Sequence, residues 1–289
     1  FLAGYCMNAY NKMRTAHKMP IRNMDFVFSD DVNLVFIDDD PETSYLFVGA
    51  WMMLPYLEPF LIRTVRKAMM QIDDPVLKEE ASRFCSQEAQ HYQQHKRLND
   101  VVKRIHPAGK QLGELEQEVE ALFRDWSDNK SLRFCLAYGE GFESMTCAAA
   151  RAQMETGMFD YMSEPIRGLM YWHIMEEVEH RCVAHDVYHA LGGHYFHRMR
   201  LALFFQKHYL GLCKRFQQTM LDAEPDLVGR YQSPEMQKKR AERLRRYNRV
   251  FLPKLLATYM PWYSPARVAL PAEYEEARKT YSDLAVSVR

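Results

Sequence analysis

Two Glu-x-x-His pairs occur in the chain, one ending at His91 after Glu88 and one ending at His180 after Glu177. Residues three apart on a helix project from one face, so each pair aims a carboxylate and an imidazole at one point. Both pairs are expected in the middle of long apolar helices, where an unpaired charge is costly unless a metal or partner meets it. Two other runs each carry a Glu among apolar or small residues: Glu58, between Leu54 and Leu61, and Glu143, between Tyr138 and Thr146. The resulting order is Glu, Glu-x-x-His, Glu, Glu-x-x-His, one element per helix. This is the ligand pattern of carboxylate-bridged di-iron and di-manganese bundles. Carboxylates bridge hard cations, and each imidazole terminates one.

The neighbours of these residues extend the pattern. Glu140 lies one turn before Glu143 and competes with it as third ligand; Gly139 and Gly141 around it leave room for a backbone or substrate. His173 lies four before Glu177, on the same face, and is expected as a seventh ligand. Glu176 is placed to accept the second N–H of His180, and Gln87 that of His91. His95 and Asp186 are further candidates for contacts behind the ligands. The metal expected is iron, two per chain, although manganese suits the same oxygen and nitrogen donors.

Long helices must hold such a set. Asp40-Pro41 and Asp74-Pro75 each combine a capping carboxylate with proline in the first turn, predicting helices from 41 to about 70 and from 75 to about 102. Pro55 or Pro59 should kink the first. His106 to Gly109 closes the second, and a shorter helix is expected over 114–126. Ser131 opens a helix that Gly157 ends. Ser163-Glu164-Pro165 opens one running unbroken to Gly192-Gly193. Helices over 194–221, 233–256 (bent near Pro253) and 272–281 complete the chain. The fold class is therefore all-α: a ferritin-like long-helix bundle with additional C-terminal helices. Residues 1–40 form an arm packed on the bundle, 41–192 the four-helix core, and 193–289 helices completing the same domain. The 18 methionines and the aromatic residues fall at helical spacing and are expected as core.

Lys+Arg and Asp+Glu both number 38, a balance that does not point to nucleic acid. The basic stretch Lys238 to Arg249 is read as a solvated helix face. The six cysteines form no Cys-x-x-Cys pair and are expected as buried free thiols in a reducing compartment. With no signal peptide and no uninterrupted apolar run near 18 residues, no transmembrane segment is expected and the location is read as cytoplasmic. The chain opens on Phe1 rather than Met, so a trimmed leader stays open.

Several of these segments resemble a bacterial family described as a predicted metal-dependent hydrolase. They are Leu54-Pro55 with Glu58, Gln87-Glu88 with His91, His95 and Asn99, Glu143 through Thr146, and Trp172-His173 with Glu176, Glu177, Glu179, His180 and Asp186 to Tyr188. The resemblance runs from about Ile21 to Pro271. The His173, Glu177 and His180 triplet also resembles di-iron N-oxygenases acting on p-aminobenzoate-type arylamines. The resemblance implies Glu58, Glu88, His91, Glu143, His173, Glu177 and His180 as ligands. The chain departs from the family at Ser144 and Ser264, where histidine is usual. The function expected is a non-haem di-iron oxygenase that takes O2 as co-substrate and oxidises a small organic substrate. A reductase or ferredoxin would supply electrons, and a homodimer is compatible with the chain. A di-metal hydrolase and a ferritin-like iron-storage protein are the alternatives.

Overall fold

A computed structural model describes residues 19–37 and 40–284. Among these residues every regular element is helical. The helices are α1 (Pro41–Met69), α2 (Pro75–Ile105), α3 (Gly109–Asn129), α4 (Leu132–Thr156), α5 (Ile166–Glu179), α6 (Val183–Ala190), α7 (Tyr195–Ala223), α8 (Pro225–Arg230), α9 (Pro234–Thr258) and α10 (Tyr274–Leu284). Short 3₁₀ turns occupy Met158–Tyr161 and Pro265–Arg267.

The helix starts use the capping chemistry of the sequence. Asp40 accepts the Thr43 N–H, Asp74 that of Val76, Ser131 that of Phe134 and Ser233 that of Met236. Gly157 ends α4 in the left-handed region, with φ 61°. α1 runs unbroken through Pro55 and Pro59. Proline at 55 removes the N–H that would bond the Trp51 carbonyl four residues earlier. Asn99 of α2 replaces it: its Nδ2 lies 3.4 Å from Trp51 O and 3.3 Å from Met52 O.

α1, α2, α4 and the α5–α6 pair surround the centre, α3 packs on α1 and α2, and α7 covers α1 and α4. The close approach of α7 depends on glycine. A Cβ on Gly49 would sit 2.5 Å from the Cys213 carbonyl, and one on Gly141 3.1 Å from Ala202 Cα. Of the two glycines beside Glu140, Gly141 thus admits the α7 backbone and Gly139 makes room for the Leu61 side chain.

Three expectations about the elements need correction. The helix predicted from 165 to 191 is broken into α5 and α6 at His180 to Cys182. No proline or glycine marks the break; buried Arg181 caps it, donating to Val178 O at 2.7 Å and to Pro265 O at 3.2 Å. Second, Gly109 opens α3 rather than closing α2. The turn brings its Cα so near Lys103 that a Cβ would lie 1.8 Å from that carbonyl. Third, the basic stretch is only partly a solvated face: Arg240 reaches Asp40 at 2.9 Å and Glu42 at 2.6 Å, and Arg243 also pairs with Asp40.

The arm keeps Met24, Phe28, Leu34, Phe36 and Ile37 buried on the bundle. Residues 1–18, 38 and 39 lie outside the described residues. α1 is long and apolar enough to cross a membrane by length and composition, but 72% of its most apolar window is buried within the protein, as in a core helix. Cys85, Cys135, Cys147 and Cys213 are buried free thiols, and Cys182 is half-buried and free. Cys6 lies outside the described residues.

Candidate metal centre

Glu58 comes from α1, Glu88 and His91 from α2, Glu143 from α4, and His173 and Glu177 from α5. His180 is the residue that caps α5, not a mid-helix residue as its sequence context implied. All seven are buried, none more than 5% exposed.

Their donor atoms converge. Around His180 Nε2 lie Glu143 Oε2 at 3.2 Å and Oε1 of both Glu88 and Glu177 at 3.4 Å. Around His91 Nδ1 lie Glu88 Oε2 at 3.7 Å and Glu177 Oε1 at 3.8 Å. His173 Nε2 is 3.0 Å from Glu177 Oε1 and 3.8 Å from Glu58 Oε1. Glu88 and Glu177 therefore face both imidazole sides. Glu58 belongs to the His91–His173 side, and Glu143 to the His180 side. The same three groupings, Glu58–His91–His173, Glu88–Glu143–His180 and Glu88–His91–Glu177, each bring donor atoms within 4.8 Å of one another.

The set is strongly unsatisfied without cations. Both oxygens of Glu58, Glu88 and Glu143, one of Glu177, Nδ1 of His91 and both nitrogens of His180 are buried without a hydrogen-bond partner. Native interiors leave few such atoms, because each costs on the order of 1–3 kcal/mol. Two divalent cations would neutralise the four carboxylates, and the donors are the oxygen and imidazole types that hard and borderline cations take. The residues present fit a dinuclear centre.

Proton affinities report the same crowding. Burial, then the Glu88 charge, raises Glu58 well above the carboxylate range. Burial and Glu177 push Glu143 up to about 8. Burial opposes the charged form of His91, but the hydrogen bond to Glu176 and the adjacent Glu88 carboxylate hold its affinity well above normal. His180 is likewise raised against burial by Glu177 and Glu143. Glu177 is held well below the usual range against burial, chiefly by His180 and His173.

Behind the ligands the structure redistributes the expected contacts. Glu176 does not serve His180; its Oε2 lies 3.1 Å from His91 Nε2, across from α5 to α2. Gln87 does not hydrogen-bond His91 but donates to Glu179 at 2.9 Å and to Pro20 O at 3.1 Å. His95 Nε2 lies 2.6 Å from His173 Nδ1, so with the shared proton on Nδ1 His173 offers Nε2 as a lone pair. Burial and then His91 lower the proton affinity of His173. Asp186 is buried on α6, outside the three converging groups; burial pushes the Cys182 thiol up, and the Asp186 charge adds to this against Arg181. Glu140 faces away from them: it takes Ser144 at 2.9 Å, Arg198 at 3.0 Å and His185 at 3.1 Å.

Sequence reasoning missed Arg22. This arm residue is buried and donates to Glu176 at 2.8 Å and to both oxygens of Glu179 at 2.8 and 2.9 Å. Tyr274 of α10 adds a bond to Glu179 at 3.1 Å, and Trp172 Nε1 one to Glu176 at 3.0 Å. The available signal was charge: Glu176 and Glu179 flank two ligands on a buried helix, and buried carboxylates need a cation. Phe84 and Trp172 stand edge-on to His180 and His91, each at 4.9 Å, and wall the centre with apolar surface.

Fold and site together define a helical-bundle protein with a carboxylate- and histidine-lined cluster that could hold metal, consistent with the ferritin-like class. Residues 20–269 match the family described as predicted metal-dependent hydrolase, and the chain belongs to that family. No curated protein and no solved structure matches the chain.

Proposed function

We propose that this protein is a dinuclear metal enzyme that uses O2 to oxidise a small organic molecule, with iron as its resident metal. The observation that carries the reading is the burial of the seven donors among helices, with orphaned atoms converging from four sides. Glu58, His91 and His173 would hold one cation, Glu143 and His180 the other, and Glu88 and Glu177 would bridge. Glu176 keeps the His91 proton on Nε2, which leaves Nδ1 as the donor. His95 does the equivalent for His173. Phe84 and Trp172 exclude water from the ligand edges, as oxidation chemistry requires. The substrate would be small and organic, with an arylamine as one class to test. Electrons would come from a reductase or ferredoxin.

The family description favours a second reading, hydrolysis by a metal-bridged centre. Ferrous loading under anaerobic conditions, followed by O2 addition, separates the two. The oxidase predicts stoichiometric O2 uptake and a transient visible absorption. No uptake, together with cleavage of ester or phosphodiester reporters by the metal-loaded protein, would establish the hydrolase instead. Storage of many irons per chain would favour a ferritin-like role.

A further inference from the structure

The chain as a whole is charge-balanced, yet two stretches contain no Asp or Glu: 195–221, nearly all of α7, and 243–272, which covers the later part of α9 and the segment leading to α10. They adjoin in space. Tyr195 donates to Tyr259 O at 2.7 Å, and Arg198 to Thr258 O at 2.9 Å. Their outer surface combines cations with large apolar side chains. On α7, Phe196, Arg200, Leu203, Lys207, Leu210 and Lys214 recur at intervals of three or four and are all exposed. Such spacing aligns them in one stripe about 27 Å long. The second stretch, which meets α7 at Thr258 and Tyr259, also exposes Leu252, Leu256 and Trp262, with Arg245 and Arg249. Phe196 is 83% and Trp262 73% exposed, so these groups protrude rather than line a groove.

Each part of this surface has a cost in water that one kind of occupant removes. Protruding Phe, Leu and Trp seek an apolar phase, and long Lys and Arg side chains interleaved with them can reach back to anionic groups at its edge. A second copy of the same face would set cations against cations, because a twofold contact is self-complementary. Arg215, which continues the basic run, already pairs with Glu118 at 2.6 Å and is not counted. From this combination we infer that the outer face of α7, with the adjoining end of α9, docks on an anionic phospholipid surface. α7 then lies flat in the headgroup layer, and α4, which carries Glu143, sits directly behind it.

The test is co-sedimentation of the full chain with phosphatidylcholine vesicles, with and without phosphatidylglycerol, across a salt series. Binding is expected to the mixed vesicles only and to fade at high salt. Each exposed cation contributes roughly fivefold, so Lys207→Glu with Lys214→Glu weakens binding by at least roughly 25-fold. Leu203→Ser with Leu210→Ser weakens it at every salt concentration. All four positions are exposed, so helicity and metal content of the variants should match the parent. Three results would overturn the inference: no preference for anionic vesicles, vesicle binding that both variants retain, or a solution dimer that the serine variant dissociates. Capture by polyglutamate without vesicle binding would overturn it equally, in favour of an acidic protein partner.

Discussion

Glu176 on α5 holds His91 on α2, with Oε2 3.1 Å from the imidazole Nε2, while its other oxygen takes Arg22 and Trp172. One carboxylate thereby links the arm, the candidate ligand helix and an apolar wall. Arg22→Ala leaves Glu176 and Glu179 buried without their cation. The expected cost is about 3–5 kcal/mol, or a Tm lower by roughly 10 °C in calorimetry. Affinity at the His91 side should fall by about 10–100-fold, read by metal titration. Unchanged Tm and metal affinity would show that Arg22 supports neither.

Ligand identity is separable from stability at Glu143 and Glu140. Both are buried on α4, but only Glu143 shares its donor space with Glu88 and His180. Glu143→Gln should reduce bound metal, measured by elemental analysis, to one ion per chain or fewer. Glu140→Gln breaks the pairing with Arg198 and His185 and should lower Tm while two ions stay bound. Glu88→Ala and His180→Ala should lose both ions. Two ions retained in Glu88→Ala would defeat the bridging assignment.

The metal-free protein should become less stable as pH rises. Glu143, its affinity raised to about 8 by burial and Glu177, binds its proton more tightly folded than unfolded. Its contribution is full below the ordinary carboxylate range and is lost as pH climbs through about 8. Glu58, His91 and His180, all raised, act in the same direction. Glu177 acts oppositely only in the acid range, whereas His95 and His173, with His106, His189 and His208, are lowered by burial and act oppositely as pH climbs through the ordinary imidazole range, which shallows the slope between pH 6 and 7 without touching its fall towards 8. Chelator-treated protein should therefore melt lower at pH 8 than at pH 6. Metal loading displaces these protons and should remove that slope, releasing protons detectable by calorimetry in two buffers. A metal-free Tm that rises over this interval would contradict the burial argument.

Legibility in the sequence followed the physics of each feature. Helix starts were readable because Asp40-Pro41, Asp74-Pro75 and Ser131 carry their capping chemistry locally. The convergence of Glu58, Glu88, His91, Glu143, His173, Glu177 and His180 was readable because charged residues at helical spacing inside apolar runs are too costly to bury unless a cation meets them. The contacts behind them were not. Glu176 lies four before His180, yet it turns to His91, because the chain bends away at His180 and the nearer imidazole belongs to another helix. That bend rests on Arg181 finding the Pro265 carbonyl, 84 residues away, which no local pattern encodes. Arg22 is more remote still from Glu176, separated by 154 residues.

Glycine substitutions test whether helix spacing sets the site. Gly49→Ala places a methyl group 2.5 Å from the backbone oxygen of Cys213, which no side-chain rotation relieves. α7 must move, at an expected cost of about 1–3 kcal/mol. Gly141→Ala meets Ala202 Cα at 3.1 Å, a milder conflict, but it lies two residues from Glu143. It should lower Tm less than Gly49→Ala while weakening metal binding more. Gly113→Ala, on α3, is the control: its methyl would meet only the flexible Lys103 side chain of α2, at an ordinary 3.8 Å. Helix propensity then predicts stabilisation by up to about 1 kcal/mol, with metal binding unchanged. If all three variants moved Tm alike, helix propensity rather than interhelical distance would govern these positions, and the placement of Glu143 would owe nothing to the approach of α7.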